Sequence, residues 1–266
     1  MLPLIKTSLK QKRTALYAYS LGGLATIGMY VAIYPSLQSQ LGTYNQLIKS
    51  LPAGLLKAFG ADTSLTNFAG LLGTKQYGFV WPLLCILFMV SYGGAALSGE
   101  IEKSTIGLWL AAPISRYRVY WTKFIASLFA LLVFMVLTVV AVIPVAWLFK
   151  VSVSSKDILL LSLMAYLFGA CVAAMGFLSS SIFSEKSKSY GAVGGILVLM
   201  YILNLLSALS ANLVNLKYLS VFYYFDSNDM LAGKPLHILN VAVLIGLGAV
   251  CALAGAYIFN KRDISI

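Results

Sequence analysis

The sequence predicts an all-α integral membrane protein: six transmembrane helices, N- and C-termini both cytoplasmic, and short interfacial helices beside the spans. Three observations carry this. The 266 residues are 60% hydrophobic and only 10% charged, which leaves too little polar surface for a soluble domain of that length. The apolar residues fall into blocks that can each cross a bilayer, a distance needing roughly 20 residues at about 1.5 Å rise each. The basic residues gather at the ends of those blocks. Residues 1–266 are therefore read as a single membrane domain.

The elements follow in order. Residues 1–14 place Lys6, Lys10 and Arg13 on one helical face and Leu2, Ile5 and Leu9 on another. That pattern predicts an amphipathic N-terminal helix on the membrane surface. The first span covers about 15–34 and ends at Tyr34-Pro35. Its bilayer length marks it as a retained span, not a cleaved leader. In the loop that follows, Leu47, Leu51, Leu55 and Phe59 recur every four residues and predict a second interfacial helix. The remaining spans are read at about 77–98, 124–149, 158–183, 190–213 and 238–259, with Pro144 predicted to kink the third. The aromatic run Phe222 to Phe225 before the sixth span reads as an interfacial belt, with an external gate as the alternative. Tyr77, Phe79, Trp81 and Phe88 of the second span read likewise as interface anchors.

Orientation comes from the basic residues. With both ends inside, the inner side carries twelve of the 19 lysines and arginines and the outer side seven. Both inner turns and both termini are basic. The positive-inside rule then puts the termini in the cytoplasm. The net charge of +11 belongs with lipid headgroups, and no basic surface interleaved with aromatics is left for nucleic acid.

Missing chemistry narrows function further. Within the drawn spans there is no Asp, Glu, Lys, Arg or His, which argues against a proton-driven carrier. A nucleotide-binding loop GxxxxGK[ST] is absent from the sequence, as are GxSxG and HExxH. Cys85, Cys171 and Cys251 lie inside apolar blocks without metal or disulfide spacing. His237 has no His, Cys or acidic neighbour set out as a metal site. The chain is thus read as a non-enzyme without its own cofactor or metal. If it does work, another subunit supplies the energy.

The segment between spans two and three, residues 99–123, is too long for a tight turn, and its charges bracket an apolar middle. Ile106, Trp109 and Leu110 suit a short helix held against the membrane, with Glu100, Glu102 and Lys103 toward the cytoplasm. On composition alone this is either a solvated loop or a docking element for a soluble partner. The residues Glu100, Glu102, Thr105, Leu108, Leu110, Pro113, Ile114, Ser115, Arg116 and Lys123 resemble, in order and spacing, the inner loop of the ABC-2 type permeases, membrane subunits of bacterial ABC exporters. Further matches are Leu51-Pro52 with Phe59-Gly60, Tyr224-Phe225-Asp226 with Leu231-Ala232-Gly233, and Phe259 with Arg262-Asp263-Ile264. The chain departs from the pattern at Ser104, where the family usually has glycine, and at Trp109 in the usual leucine pair.

The resemblance implies a permease subunit in a bacterial inner membrane. It would pair with a second membrane subunit, identical or homologous, and with two copies of a cytoplasmic ABC ATPase that holds the ATP and Mg. It assigns ATPase coupling to Glu100, Glu102, Lys103, Thr105, Pro113, Arg116 and Lys123. Alternatives are an ATP-driven sodium exporter subunit, or a non-transporting scaffold that recruits a cytoplasmic protein. In the fifth span, Tyr201, Asn204 and Asn212 fall near one helix face and serve either helix packing or a conduit. Gly191 and Gly195 open the same span with a GxxxG spacing that permits close helix approach.

Overall fold

A computed structural model describes residues 2–39, 68–105, 115–149 and 153–263. These are helical, with no strand among them. Six helices are long and apolar enough to cross a membrane: Lys12–Tyr34, Phe68–Gly93, Arg116–Leu148, Ser155–Ile182, Lys186–Leu209 and Ile238–Lys261. The interfacial helix expected around Leu47 to Phe59 lies outside the described residues.

The first span belongs to one unbroken helix, Leu2–Ser39. Residues 2–14 are therefore not a separate surface element. Between residues 4 and 21 there is no glycine or proline to break the backbone ladder. The helix also runs past Pro35, where the sequence reading ended it.

Two spans carry π-helical stretches, and both precede a proline. Leu72–Val80 leads to Pro82, and Val136–Val140 leads to Pro144. A proline within a helix lacks its N–H, and its ring collides with the carbonyl four residues back. A wider turn just ahead relieves that collision. Accordingly Trp81 N–H reaches back five residues to the Gln76 carbonyl, and Ala141 N–H reaches the Val136 carbonyl. The two stretches also bond each other. The Tyr77 hydroxyl donates to the Thr138 carbonyl at 3.0 Å, and Trp81 Nε1 donates to Thr138 Oγ1 at 2.8 Å.

The fourth span is the axis of the bundle, packing against the second, third, fifth and sixth. Of its apolar stretch 67% is buried, against 11% for the fifth span. Small residues permit this enclosure. A Cβ placed on Gly176 would sit 3.2 Å from the backbone nitrogen of Gly94, so the fourth and second spans meet backbone to backbone. A Cβ on Gly255 of the sixth span would sit 2.6 Å from the Tyr120 hydroxyl. Gly191 and Gly195, by contrast, have nothing within 4 Å.

Aromatic rings fill the centre. Trp81 lies 5.9 Å from Phe134 and 5.6 Å from Phe225, and Phe168 lies 5.1 Å from Phe225. This corrects two readings of the sequence. Tyr77, Trp81 and Phe88 are fully buried, and of the four proposed anchors only Phe79 faces outward. The run Phe222 to Phe225 is not a belt: Tyr224 and Phe225 are buried because the chain folds back into the bundle there. Asp226 caps the short helix Ser227–Leu231 by accepting from the N–H groups of Asn228 and Asp229. Ser227 Oγ then donates to the Gly73 carbonyl at 2.8 Å, and Thr74 Oγ1 to Asn228 Oδ1 at 3.1 Å, which fastens this return to the π stretch of the second span.

Candidate functional site

The first helix around Ser8 and Lys12, the residues closing the sixth span and the segment after the second span meet at one end of the bundle. Near the N-terminus, Lys12 Nζ donates to the Ser91 carbonyl at 3.1 Å, and the hydroxyls of Ser8 and Tyr92 lie 3.3 Å apart. After Gly93 the chain turns into a short helix, Ser98–Glu102. Its start is held by the fourth span, where Ser180 Oγ accepts from the N–H groups of Leu97 and Ser98, each at 2.9 Å.

The two glutamates of this helix reach different spans. Glu100 pairs with Lys123 of the third span, whose Nζ also donates to the Ala96 carbonyl at 3.0 Å. Lys123 is buried and Glu100 is partly buried. Glu102 Oε2 accepts from the backbone N–H of Lys186 at 2.8 Å, at the first turn of the fifth span. A carboxylate there meets both an unsatisfied amide and the positive end of the helix dipole. The sequence reading turned both glutamates toward a partner; here each is already engaged within the chain.

The short helix ends at Ser104, which adopts a φ of 55°. Ser104 N–H bonds the Ile101 carbonyl and Thr105 N–H bonds the Glu100 carbonyl, both at 2.9 Å. This is a Schellman cap, which calls for glycine at the left-handed position. The conformation explains why glycine is usual there in the family that the loop resembles. Glu102, Lys103 and Thr105 are exposed. Pro113, with Ile106 to Ile114, lies outside the described residues.

Arg116 opens the third span behind the N-cap Ser115, whose side chain accepts from Arg118 N–H. The helix thus begins two turns before the predicted start of that span, and Lys123 sits inside it. Arg116, assigned to ATPase coupling by the resemblance, donates to the Arg262 carbonyl at the end of the sixth span. Arg262 in turn donates to the carbonyls of Ser181 and Phe183, at 3.0 and 3.1 Å, and to Ser184 Oγ. Partial burial lowers the pKa of Arg262, which leaves an arginine charged. Sequence reasoning missed Ser180 and Ser184, and quoted Arg262 only as part of the tail match, without a site role.

Three cavities follow the line of the second and fifth spans. The first, about 800 Å³, lies beside the short helix and is lined by Lys12, Glu100, Lys103, Lys123 and Lys186. Tyr190 borders both it and an apolar groove of about 500 Å³ between the second and fifth spans. Gly78, Phe79, Tyr201 and Phe222 are shared between that groove and a third cavity, about 480 Å³, at the opposite end. Of the three fifth-span candidates, Tyr201 and Asn204 line the third cavity. Asn212 does not share their face. The helix ends at Leu209, Ser210 is extended, and Asn212 is exposed in the 3-10 segment Ala211–Leu219. Ser207 Oγ bonding the Asn204 carbonyl shows a side chain competing for backbone groups in that last turn.

Six apolar spans, joined at one end of the bundle by hydrogen bonds and ion pairs among the described residues, define a multi-pass membrane protein. The family model described as ABC-2 family transporter protein matches residues 3–264. The chain belongs to that family and serves as a membrane component of an ABC transporter. No individual curated protein matches it.

Proposed function

We propose that the chain is the permease subunit of an ABC exporter, in a bacterial plasma membrane with both termini cytoplasmic. Two copies of a separate ATPase, holding ATP and Mg, would act on it and on a second membrane subunit through residues 99–123. The observation that carries this reading is the divergence of Glu100 and Glu102. Two residues apart on one short helix, they grip the third and fifth spans, while Ser180 ties the same helix to the fourth. Force applied to this helix therefore reaches three spans at once. The exposed Lys103 and Thr105 at its end are available to a cytoplasmic partner.

The test is co-purification with an ATPase from the same cells, followed by ATP turnover of the assembled complex. Glu102→Ala and Arg116→Ala are expected to lower cargo-stimulated turnover while assembly persists. Unchanged turnover in both would defeat the coupling role. Failure of any ATPase to associate would favour the scaffold. Orientation is checked separately: Tyr117→Cys should resist an impermeant thiol reagent added outside sealed cells, and labelling would reverse the topology.

A further inference from the structure

Among the described residues, the polar vestibule gathers more lysines than carboxylates. Lys12, Lys103, Lys123 and Lys186 line it, with Glu100 as the one acidic residue among its lining groups. Glu100 is committed to Lys123. Glu102 Oε1 lies 3.9 Å from Lys186 Nζ, a long ion pair, while its Oε2 accepts from the Lys186 backbone N–H. Like charges gathered along one cavity repel one another. Cations held in one concave site against such repulsion are complementary to an anion.

The vestibule adjoins an apolar surface. Tyr190, whose hydroxyl donates to the Ser91 carbonyl at 3.3 Å, lines both it and the apolar groove between the second and fifth spans. Leu83, Leu87 and Val198 of that groove are exposed along the bundle surface. An alkyl chain lying there stays in surroundings as apolar as the lipid it leaves. Selectivity then falls on the headgroup, and a soluble anion would leave the groove unused.

We propose that the vestibule and groove together hold one anionic amphiphile, with a phosphate headgroup among Lys12, Lys103 and Lys186 and an alkyl chain between the second and fifth spans. This deepens the permease reading by naming the chemical class that the pathway accepts. Binding does not require the ATPase, so the two readings fail separately.

The full chain in phosphatidylcholine nanodiscs provides the test. Spin-labelled phosphatidic acid and spin-labelled phosphatidylcholine report the fraction of lipid immobilised by the protein. Phosphatidic acid should be preferred, and Lys103→Gln and Lys186→Gln should each cut the preference roughly fivefold, the effect of one lysine near an anionic headgroup. Gly194 lines the groove and has nothing within 4 Å of a built Cβ, so Gly194→Leu starts its side chain in open space, occupies the groove and should abolish the preference with all lysines in place. Lys217→Gln, on the segment beyond the fifth span, should change nothing. A preference that survives the lysine variants, or one that survives Gly194→Leu, overturns the proposal; the second result would indicate diffuse surface attraction. Competition by glycerol phosphate as strong as by the whole lipid would also overturn it, in favour of a free-anion site.

Discussion

Glu102 caps a helix to which it does not belong: its carboxylate accepts from Lys186 N–H, 84 residues further along the chain. The residue in the N-cap position itself, Glu185, makes no side-chain cap bond. Replacing Glu102 by alanine should therefore destabilise the protein by roughly 1 kcal/mol, the usual worth of an N-cap. Glutamine keeps an acceptor oxygen and should lose less. Thermal unfolding in detergent ranks the three; equal midpoints for alanine and wild type would show that the cap contributes nothing.

The Glu100–Lys123 pair is enclosed, with side chains 15% and 8% exposed. Removing one partner of such a pair typically costs roughly 3–5 kcal/mol, because the other charge is left buried, whereas an apolar replacement of both is often tolerated. Glu100→Gln alone should be strongly destabilising, and Glu100→Gln with Lys123→Met should recover much of the loss. A double-mutant cycle on thermal stability reads the coupling; additive losses would show that the two groups act independently.

Ser104 occupies a left-handed backbone position, which costs a residue with a Cβ roughly 1–2 kcal/mol. Ser104→Gly should raise stability, by roughly 0.5–1 kcal/mol once the extra freedom of glycine in the unfolded chain is subtracted. Chemical denaturation of the two proteins side by side gives the sign. A loss of stability would mean that the serine hydroxyl matters more than the backbone.

These positions also show what the sequence could reveal. Spans are legible because each apolar block satisfies its own backbone internally, so no distant residue is needed to recognise one. Pro144 announces its distortion for the same local reason. Pro82 has the same effect and the same local signal, although the sequence reading placed a kink only at Pro144. The bonding of the segment after the second span is another matter. Glu102 with Lys186 and Arg116 with Arg262 are contacts across long stretches of chain, decided by which helices the fourth span gathers around itself. Phe225 illustrates the same limit, since an aromatic run reads identically whether it faces lipid or turns inward onto Trp81.

Glycine positions separate by what surrounds them. Gly176 presses on the backbone of Gly93 and Gly94 at 3.2–3.4 Å for an added Cβ. Backbone cannot rotate away, so Gly176→Ala should destabilise by roughly 1–3 kcal/mol, as overpacking does. Gly191 faces open space, and Gly191→Ala should leave the monomer's midpoint unchanged or slightly raised through helix propensity. Unfolding curves in detergent decide between them, and a tolerated Gly176→Ala would place the second and fourth spans farther apart than described.

Asp226 gives a pH dependence with a defined sign. Burial raises its pKa above the ordinary value of 3.8, with Asp229 adding to the rise, while the N–H groups of Asn228 and Asp229 and the charge of Lys234 oppose it. The folded state therefore holds the proton more tightly than the unfolded chain does. The associated stability is fully present below the ordinary carboxylate value and is lost as pH rises through the raised one. Asp226→Asn keeps an acceptor for the cap but cannot ionise. From about pH 3 to about pH 7, a range that brackets ordinary carboxylate titration, the stability of wild type relative to Asp226→Asn should fall and then level off. Paired thermal melts across that range measure the difference. A flat difference would show that Asp226 titrates alike in both states, and a rising one would show that its capping bonds outweigh its burial.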